Sequence, residues 1–250
     1  KRFLEILKKE KPDYLFRLYH PDEFGVGVLF DIKKISPKTK TICYFTDDET
    51  HFPYISRYMV PLFCDFALTA QKASVNDYKK EGIKNAFFTY GINPELFRPK
   101  NLEKKYDVTF VGNPKANRYE IINFLKRQGI NLKIFGSGWS RYKDLKEIYR
   151  GQPNNEELVN IINQSKINLC FTRNIFGKTQ IKGRVFEVGA CKSFMLLEKT
   201  EAYSELFNKD ELVTFDGKED LLNKIKYYLK HEKEIERIEK KTYDRIIKEY

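Results

Sequence analysis

Strand-length apolar runs alternate with helix-like segments along the whole chain, and a Gly/Pro-punctuated stretch, GINPELFRP (residues 91–99), splits the alternation into two series. Before it, DYLFRLY (13–19), TICYFT (41–46), DFALTA (65–70) and NAFFTYG (85–91) read as strands. Helical segments are expected near 1–10, with Phe3, Leu4 and Leu7 as its apolar stripe, and at 24–34, 53–62 and 72–81. After it, DVTFVG (107–112), LKIFG (132–136), INLCFT (167–172), SFMLLE (193–198) and ELVTF (211–215) are strands. The helices between them fall at 116–128, with Ile121, Ile122, Phe124 and Leu125 inward, at 156–164, and from about 218 to the end. Strands that alternate with helices pair in parallel through crossover connections. The chain is therefore expected to be α/β, with a first unit over 1–100, NLEKK as linker and a second unit over 106–250.

Composition narrows the function classes. Hydrophobic residues make up 41% and aromatics 15%, enough for packed cores and too much for disorder. No apolar run reaches the roughly 18 residues of a membrane span, and the charged start KRFLEILKKEK is not a signal peptide. Cys43, Cys64, Cys170 and Cys191 lie in apolar contexts without CxxC spacing, which reads as buried thiols in a reducing cytosol. The net charge of +11 is spread along the chain. It suits an anionic substrate or peripheral contact with an anionic membrane face, and equally a solvated lysine-rich surface.

The most informative stretch is KTQIKGRVFEVGACKSFMLLE (178–198): a basic loop, a short helix and a buried strand. Lys182, Gly183 and Arg184 fall at the helix start, where free N–H groups and the positive dipole end favour an anion such as a diphosphate. Glu187 follows one turn later. A carboxylate beside a phosphate seat makes sense when it accepts from something else, and ribose hydroxyls fit.

The pattern K-x-R-x-F-E, then small residues and an apolar strand, resembles the C-terminal domain of GT-B glycosyltransferases, closest to the CgeB-like branch and akin to the retaining group-1 families. The resemblance covers the whole layout, with GINPELF-P closing a first Rossmann-like domain and YDVTFVGN opening a second. It implies two Rossmann-like domains facing across a cleft, a nucleoside-diphosphate sugar as donor substrate, no other cofactor, and transfer to an acceptor hydroxyl of a glycan, lipid or protein without a metal. It implies that Glu187 holds the donor ribose and that Lys182 and Arg184 hold the diphosphate. Thr179 stands where the larger group has a second glutamate, and Lys192 where a glycine is common. Four strands precede the linker where the family has six or seven, so the first domain is expected to be short or truncated.

Further candidates lie at strand ends, where doubly wound sheets bind ligands. Gly112, Asn113 and Arg118 in FVGNPKANR line the donor diphosphate or sugar, or form an ordinary βα turn. Gly136, Gly138 and Trp139 in FGSGW, with Tyr149 and Arg150 in YRGQP, flank the base in the family. Trp139 or Tyr149 would pack on it, or Trp139 simply covers an apolar edge. Arg173 and Asn174 reach sugar hydroxyls or face solvent.

In YFTDDETH, Asp48 is the candidate catalytic acid or base. Asp47 and Glu49 are alternatively metal ligands, or the three acids cap the helix that follows. His20, before Pro21, is the other catalytic candidate, since the family often brings a histidine from the first domain near the donor sugar. The reading is a cytoplasmic, metal-independent hexosyltransferase. A GT-B epimerase and a basic nucleic-acid-binding module remain alternatives, the latter without an RNA-binding motif to support it.

Overall fold

The computed structural model describes residues 2–18 and 26–250, and the chain divides into two compact units that meet between Tyr90 and Gly91. The first unit runs α1 (Arg2–Glu10), β1 (Tyr14–Leu18), α2 (Val26–Ile35), β2 (Lys40–Phe45), α3 (Asp48–His51), a π-helical turn (Phe52–Ser56), α4 (Arg57–Phe63), β3 (Phe66–Thr69), α5 (Lys72–Lys80) and β4 (Ala86–Phe88). Its strands are parallel and lie side by side in chain order, β1-β2-β3-β4. Right-handed crossovers between strands that always step the same way put the connecting helices on one face. That face carries Cys43, Phe45, Ala67 and Ala86 against Phe52, Val60 and Tyr78, with Leu7, Leu29, Ile32 and Phe63 packed nearby. The opposite face presents Tyr14, Phe16, Leu18 and Phe87, each at least half exposed, beside the half-buried Ile42, Tyr44, Phe66 and Leu68.

The second unit runs β5 (Tyr106–Val111), α6 (Arg118–Arg127), β6 (Leu132–Phe135), α7 (Asn155–Asn163), β7 (Ser165–Cys170), α8 (Gly183–Ala190), β8 (Met195–Glu198), β9 (Val213–Phe215), α9 (Gly217–Tyr228) and α10 (Glu232–Glu249). The parallel order is β6-β5-β7-β8-β9, so the direction of winding reverses at β5. Reversal sends helices to both faces: α6 packs with α9, and α8 with α10. Both faces of the sheet are thereby buried, and Val108, Phe110, Ile134, Ile167, Leu169 and Leu196 form one core with the helices. Asn154 and Glu157 start α7 with a reciprocal capping box.

Residues 91–100, expected to end the first unit, pack with the second. Ile92 donates its N–H to the Tyr250 carbonyl, and Asn163 holds both the Lys100 N–H and the Arg98 carbonyl. These bonds, which sequence periodicity does not register, set the boundary.

Helix α8 closes with two bonds, Lys192 N–H to the Gly189 carbonyl and Ser193 N–H to the Val188 carbonyl. This is a Schellman end, and Lys192 occupies its left-handed position at φ 49°.

Candidate functional site

The reversal makes β5 and β7 the switch point of the sheet, and in such sheets ligands bind outside the carboxyl ends there, beside the loops that follow the two strands. Arg118, the first residue of α6, ties the two loops together. Its guanidinium donates to the Asn113 carbonyl and to the Arg173 carbonyl, both at 3.1 Å, and lies over the Phe110 and Phe171 rings. Burial pulls its pKa down, with the nearby Glu198 charge acting the other way. Thus Asn113, Arg118 and Arg173, nominated separately from sequence, meet at one place, but Arg118 acts there as a strut between loops.

Glu198, at the end of β8, organises the same place. It is 5% exposed. One carboxylate oxygen accepts from the Thr172 N–H, the Thr172 hydroxyl and the Arg173 N–H at 2.9, 3.2 and 3.1 Å, and the other from Arg173 Nε at 2.9 Å. Sequence reading missed it because SFMLLE looked like a plain buried strand. The signal was a carboxylate closing an apolar run, since a buried charge needs partners. Arg173 also reaches a cavity of about 790 Å³ beyond β8 and β9, lined with Lys199, Thr200, Tyr203 and Asp216.

Between β7 and α8 the chain makes a small hairpin, with Arg173 bridged to Thr179. Asn174 does not stand open toward a sugar: its side-chain oxygen accepts the Phe176 and Lys178 N–H groups, which shapes the turn. Thr179 bonds Thr200 through their hydroxyls at 2.9 Å. Lys182 is the N-cap of α8, in extended conformation, and its N–H donates to the Tyr203 hydroxyl at 2.6 Å. Gly183 is the first helical residue and Arg184 the second, as the sequence predicts. Tyr203, which orients the N-cap, was not nominated; it lies in a short 3-10 turn more than a strand's length downstream.

Arg184 and Glu187 sit one turn apart on α8, with Nη1 and Oε2 separated by 2.7 Å. Both atoms are buried, yet their alignment does not make a hydrogen bond and neither has another hydrogen-bond partner. A half-buried guanidinium and carboxylate with hydrogen-bonding capacity in hand are suited to a ligand that carries hydroxyls and phosphates.

The FGSGW and YRGQP loops differ from expectation. Trp139 is fully buried and donates its indole N–H to the Gly112 carbonyl at 2.6 Å, so it is a core residue and does not stack on a base. The glycines serve loop packing. A Cβ on Gly136, whose φ is 119°, would lie 2.5 Å from the Gly112 carbonyl oxygen, and one on Gly112 would lie 2.7 Å from the Phe110 ring. Gly138 also adopts positive φ, at 84°. Tyr149 is half-buried and pairs with Ile134 as a one-residue extension of the sheet. Arg150 folds back to donate to the Glu147 and Tyr149 carbonyls. It still lines a cavity of about 370 Å³ with Tyr106, Phe135 and Gly151.

In the first unit Asp48 is 1% exposed. It accepts from the Ser56 hydroxyl at 2.6 Å and the Tyr78 hydroxyl at 3.0 Å. Burial pushes its carboxyl above the ordinary range, against the pull of hydrogen bonds from Ser56, Thr69 and Tyr78. This is an internal brace between α3, the π-helical turn and α5, not an acid open to a substrate. Asp47 holds the N-cap position of α3, with Asp48 and Glu49 in the first turn, but its backbone carbonyl and not a side-chain cap accepts the Thr50 and His51 N–H groups. Among the described residues no group of three His, Cys, Asp or Glu is placed to hold a metal. His20 lies outside the described residues. No helix of the described residues is long and apolar enough to cross a membrane.

A family model described as glycosyl transferase-like matches residues 118–250, just over half of the chain. Curated proteins give no match. Among solved structures, Anabaena HepE in complex with UDP and glucose superposes with a TM-score of 0.75 at 10% identity, over 100% of this chain and 76% of that one. A glycosyltransferase from Rickettsia africae gives 0.67 at 12%, over 99% and 75%. Sucrose-phosphate synthase from Thermosynechococcus elongatus gives 0.64 at 11%, over 99% and 73%. At these identities the likeness is one of fold, and that fold is the GT-B arrangement of two Rossmann-like units.

Proposed function

The chain belongs to the glycosyl transferase-like family, and from that premise we propose that it transfers a hexose from a nucleoside-diphosphate donor held by the second unit to an acceptor hydroxyl. The observation that carries the reading is the pair Arg184 and Glu187 on α8, whose facing Nη1 and Oε2 atoms are buried without a hydrogen-bond partner, beside the carboxyl end of β7. A ribose diol supplies two donors to Glu187. The diphosphate meets the helix N-terminus, Lys182 and Arg184. The UDP-bound HepE neighbour makes uridine diphosphate the first ligand to try.

In the reaction the bond from the anomeric carbon to the diphosphate breaks as positive charge grows on the sugar ring. The acceptor oxygen replaces the diphosphate and gives up its proton. Cationic groups at the α8 start stabilise the departing anion, so no metal is required in this scheme. Retention of configuration and a CgeB-like subtype belong to the same proposal, on the support of the K-x-R-x-F-E resemblance. A cytoplasmic location, with peripheral contact to an anionic membrane face, is proposed from the surplus of basic residues and the unpaired thiols.

The test is Glu187→Gln with UDP and 2′-deoxy-UDP. The native protein is expected to prefer the ribose form. The variant should bind UDP more weakly by about 1–3 kcal/mol and lose most of that preference. The rival role is internal: Glu187 pairs with Arg184 only to order the helix start. A variant that discriminates the two nucleotides as well as the native protein does would establish that rival and move the donor elsewhere.

A further inference from the structure

The topology of the first unit brings two cysteines into contact. Cys43 lies on β2 on the helix-covered face, and Cys64 is the residue that ends α4. The Cys64 thiol donates to Cys43 Sγ at 2.8 Å, which leaves a short travel to the S–S bond length of about 2.05 Å. The surroundings favour charge on one sulfur. Arg17 is the register partner of Cys43 on β1, on the same face, and is 7% exposed. Cys43 is lowered first by the hydrogen bond from Cys64, against burial, and then by the charges of Arg17 and Lys33, while Asp65 opposes them. Cys170 and Cys191, in the second unit, are both pushed up to about 12 by burial. The four cysteines are therefore not equivalent: Cys43 is lowered, and Cys64, which donates to it, is pushed up with the other two.

We propose that Cys43 and Cys64 form a redox-active dithiol that a hydroperoxide converts to an intrachain disulfide. The Cys43 thiolate attacks a peroxide oxygen; the O–O bond breaks, and the departing oxygen takes a proton and leaves as water or an alcohol. Cys43 is then a sulfenic acid. The Cys64 sulfur attacks Cys43 Sγ, the S–O bond breaks, and the hydroxide leaves as water with the proton of Cys64. In sum two thiols give up two electrons and two protons, and the peroxide is reduced. Cys64 is half-buried and Cys43 is 3% exposed, so a small oxidant reaches the pair from the Cys64 side. The new bond ties the end of α4 to β2 and closes the segment that carries α3 and its acid cluster.

The test treats the folded chain with hydrogen peroxide, quenches it, denatures it and alkylates it with N-ethylmaleimide. Intact mass and a peptide map are then read. Two of the four cysteines should escape alkylation, return to it after dithiothreitol, and appear as one cross-linked peptide containing Cys43 and Cys64. Cys43→Ser and Cys64→Ser should each abolish that reversible loss. Four alkylated cysteines in the native chain, an irreversible sulfinate without a cross-link, or a cross-link through Cys170 or Cys191 would each overturn the proposal. The native measurement needs no variant, so a misfolded serine variant leaves the test intact.

Discussion

The two units use the same strand–helix alphabet and differ in one decision. In the second, the chain lays β6 on one side of β5, crosses back, and continues through β7, β8 and β9 on the other. In the first, each strand is added on the same side as the last. The reversal covers both faces of the second sheet and makes a switch point at the ends of β5 and β7, the place where such sheets form a ligand crevice and where Arg118 and Glu198 are found. The described strands of the first sheet show no reversal, and Tyr14, Phe16, Leu18 and Phe87 stand on the side away from its helices. The difference reaches to single carboxylates. Glu198 ends a strand, Asp48 follows one, and both are nearly inaccessible. Glu198 is held by a guanidinium and backbone N–H groups at the crevice, whereas Asp48 is held by neutral hydroxyls inside its unit. Equivalent position in an α/β series does not give equivalent chemistry; the winding order does.

The largest effect is expected from breaking the furnished end. Glu198→Ala leaves Arg173 and the Thr172 and Arg173 N–H groups without their acceptor. The Thr172 N–H and hydroxyl are buried, and each buried donor left without its acceptor costs about 1–3 kcal/mol. The fluorescence of Trp139, the chain's single tryptophan and part of the second core, reads it during denaturant unfolding. A loss under about 1 kcal/mol, typical of a surface pair, would show that Glu198 does not organise the crevice.

Next in size is the anion seat. Lys182→Ala and Arg184→Ala should each weaken uridine diphosphate about ten- to a hundred-fold, the worth of a charge-assisted bond of about 1.5–3 kcal/mol, and uridine hardly at all. Calorimetry with both ligands decides. Equal losses for the two would take these residues out of the seat, and with it the contrast between a ligand-binding and a structural unit.

Asp48 sharpens the comparison from the other side. Its folded-state pKa is raised by burial, so the folded chain holds the proton more tightly than the unfolded one. The stability it contributes is fully present below the unfolded value, about 3.9, and is lost as pH rises through the raised folded value. Asp48→Asn cannot ionise. The stability of the native protein relative to this variant should therefore fall with rising pH across that window, by about 1.4 kcal/mol for each pH unit between the two values. Circular dichroism melts at several pH values measure it. A flat or rising difference would mean that Asp48 is ionised and exposed, as an acid at an open site would be.

The smallest effect is expected at the end of α8. Lys192 holds a left-handed backbone angle that glycine adopts without a Cβ penalty. Lys192→Gly should stabilise the second unit by about 1 kcal/mol, followed again through Trp139. Destabilisation would show that the Lys192 side chain, whose charge acts on Glu239, contributes more than the backbone strain costs.

Local pattern was enough to determine much of this protein. The order and kind of the elements, the two α/β series, and the start of α8 at Lys182 and Gly183 were legible, because apolar periodicity and glycine placement act over a few residues. So was the family resemblance, carried by K-x-R-x-F-E. The sequence could not say which strand neighbours which, and that choice separated a sheet with a winding reversal from one whose described strands show none. Nor could it say that Trp139 turns inward to the Gly112 carbonyl, that Asp48 is braced by Ser56 and Tyr78, or that Cys64 meets Cys43. Glu198 lies 25 residues from the Arg173 it anchors, and Tyr203 lies 21 from the Lys182 N–H it accepts. Each of these depends on groups far apart in the chain, whose desolvation and pairing exist only after the sheet has assembled.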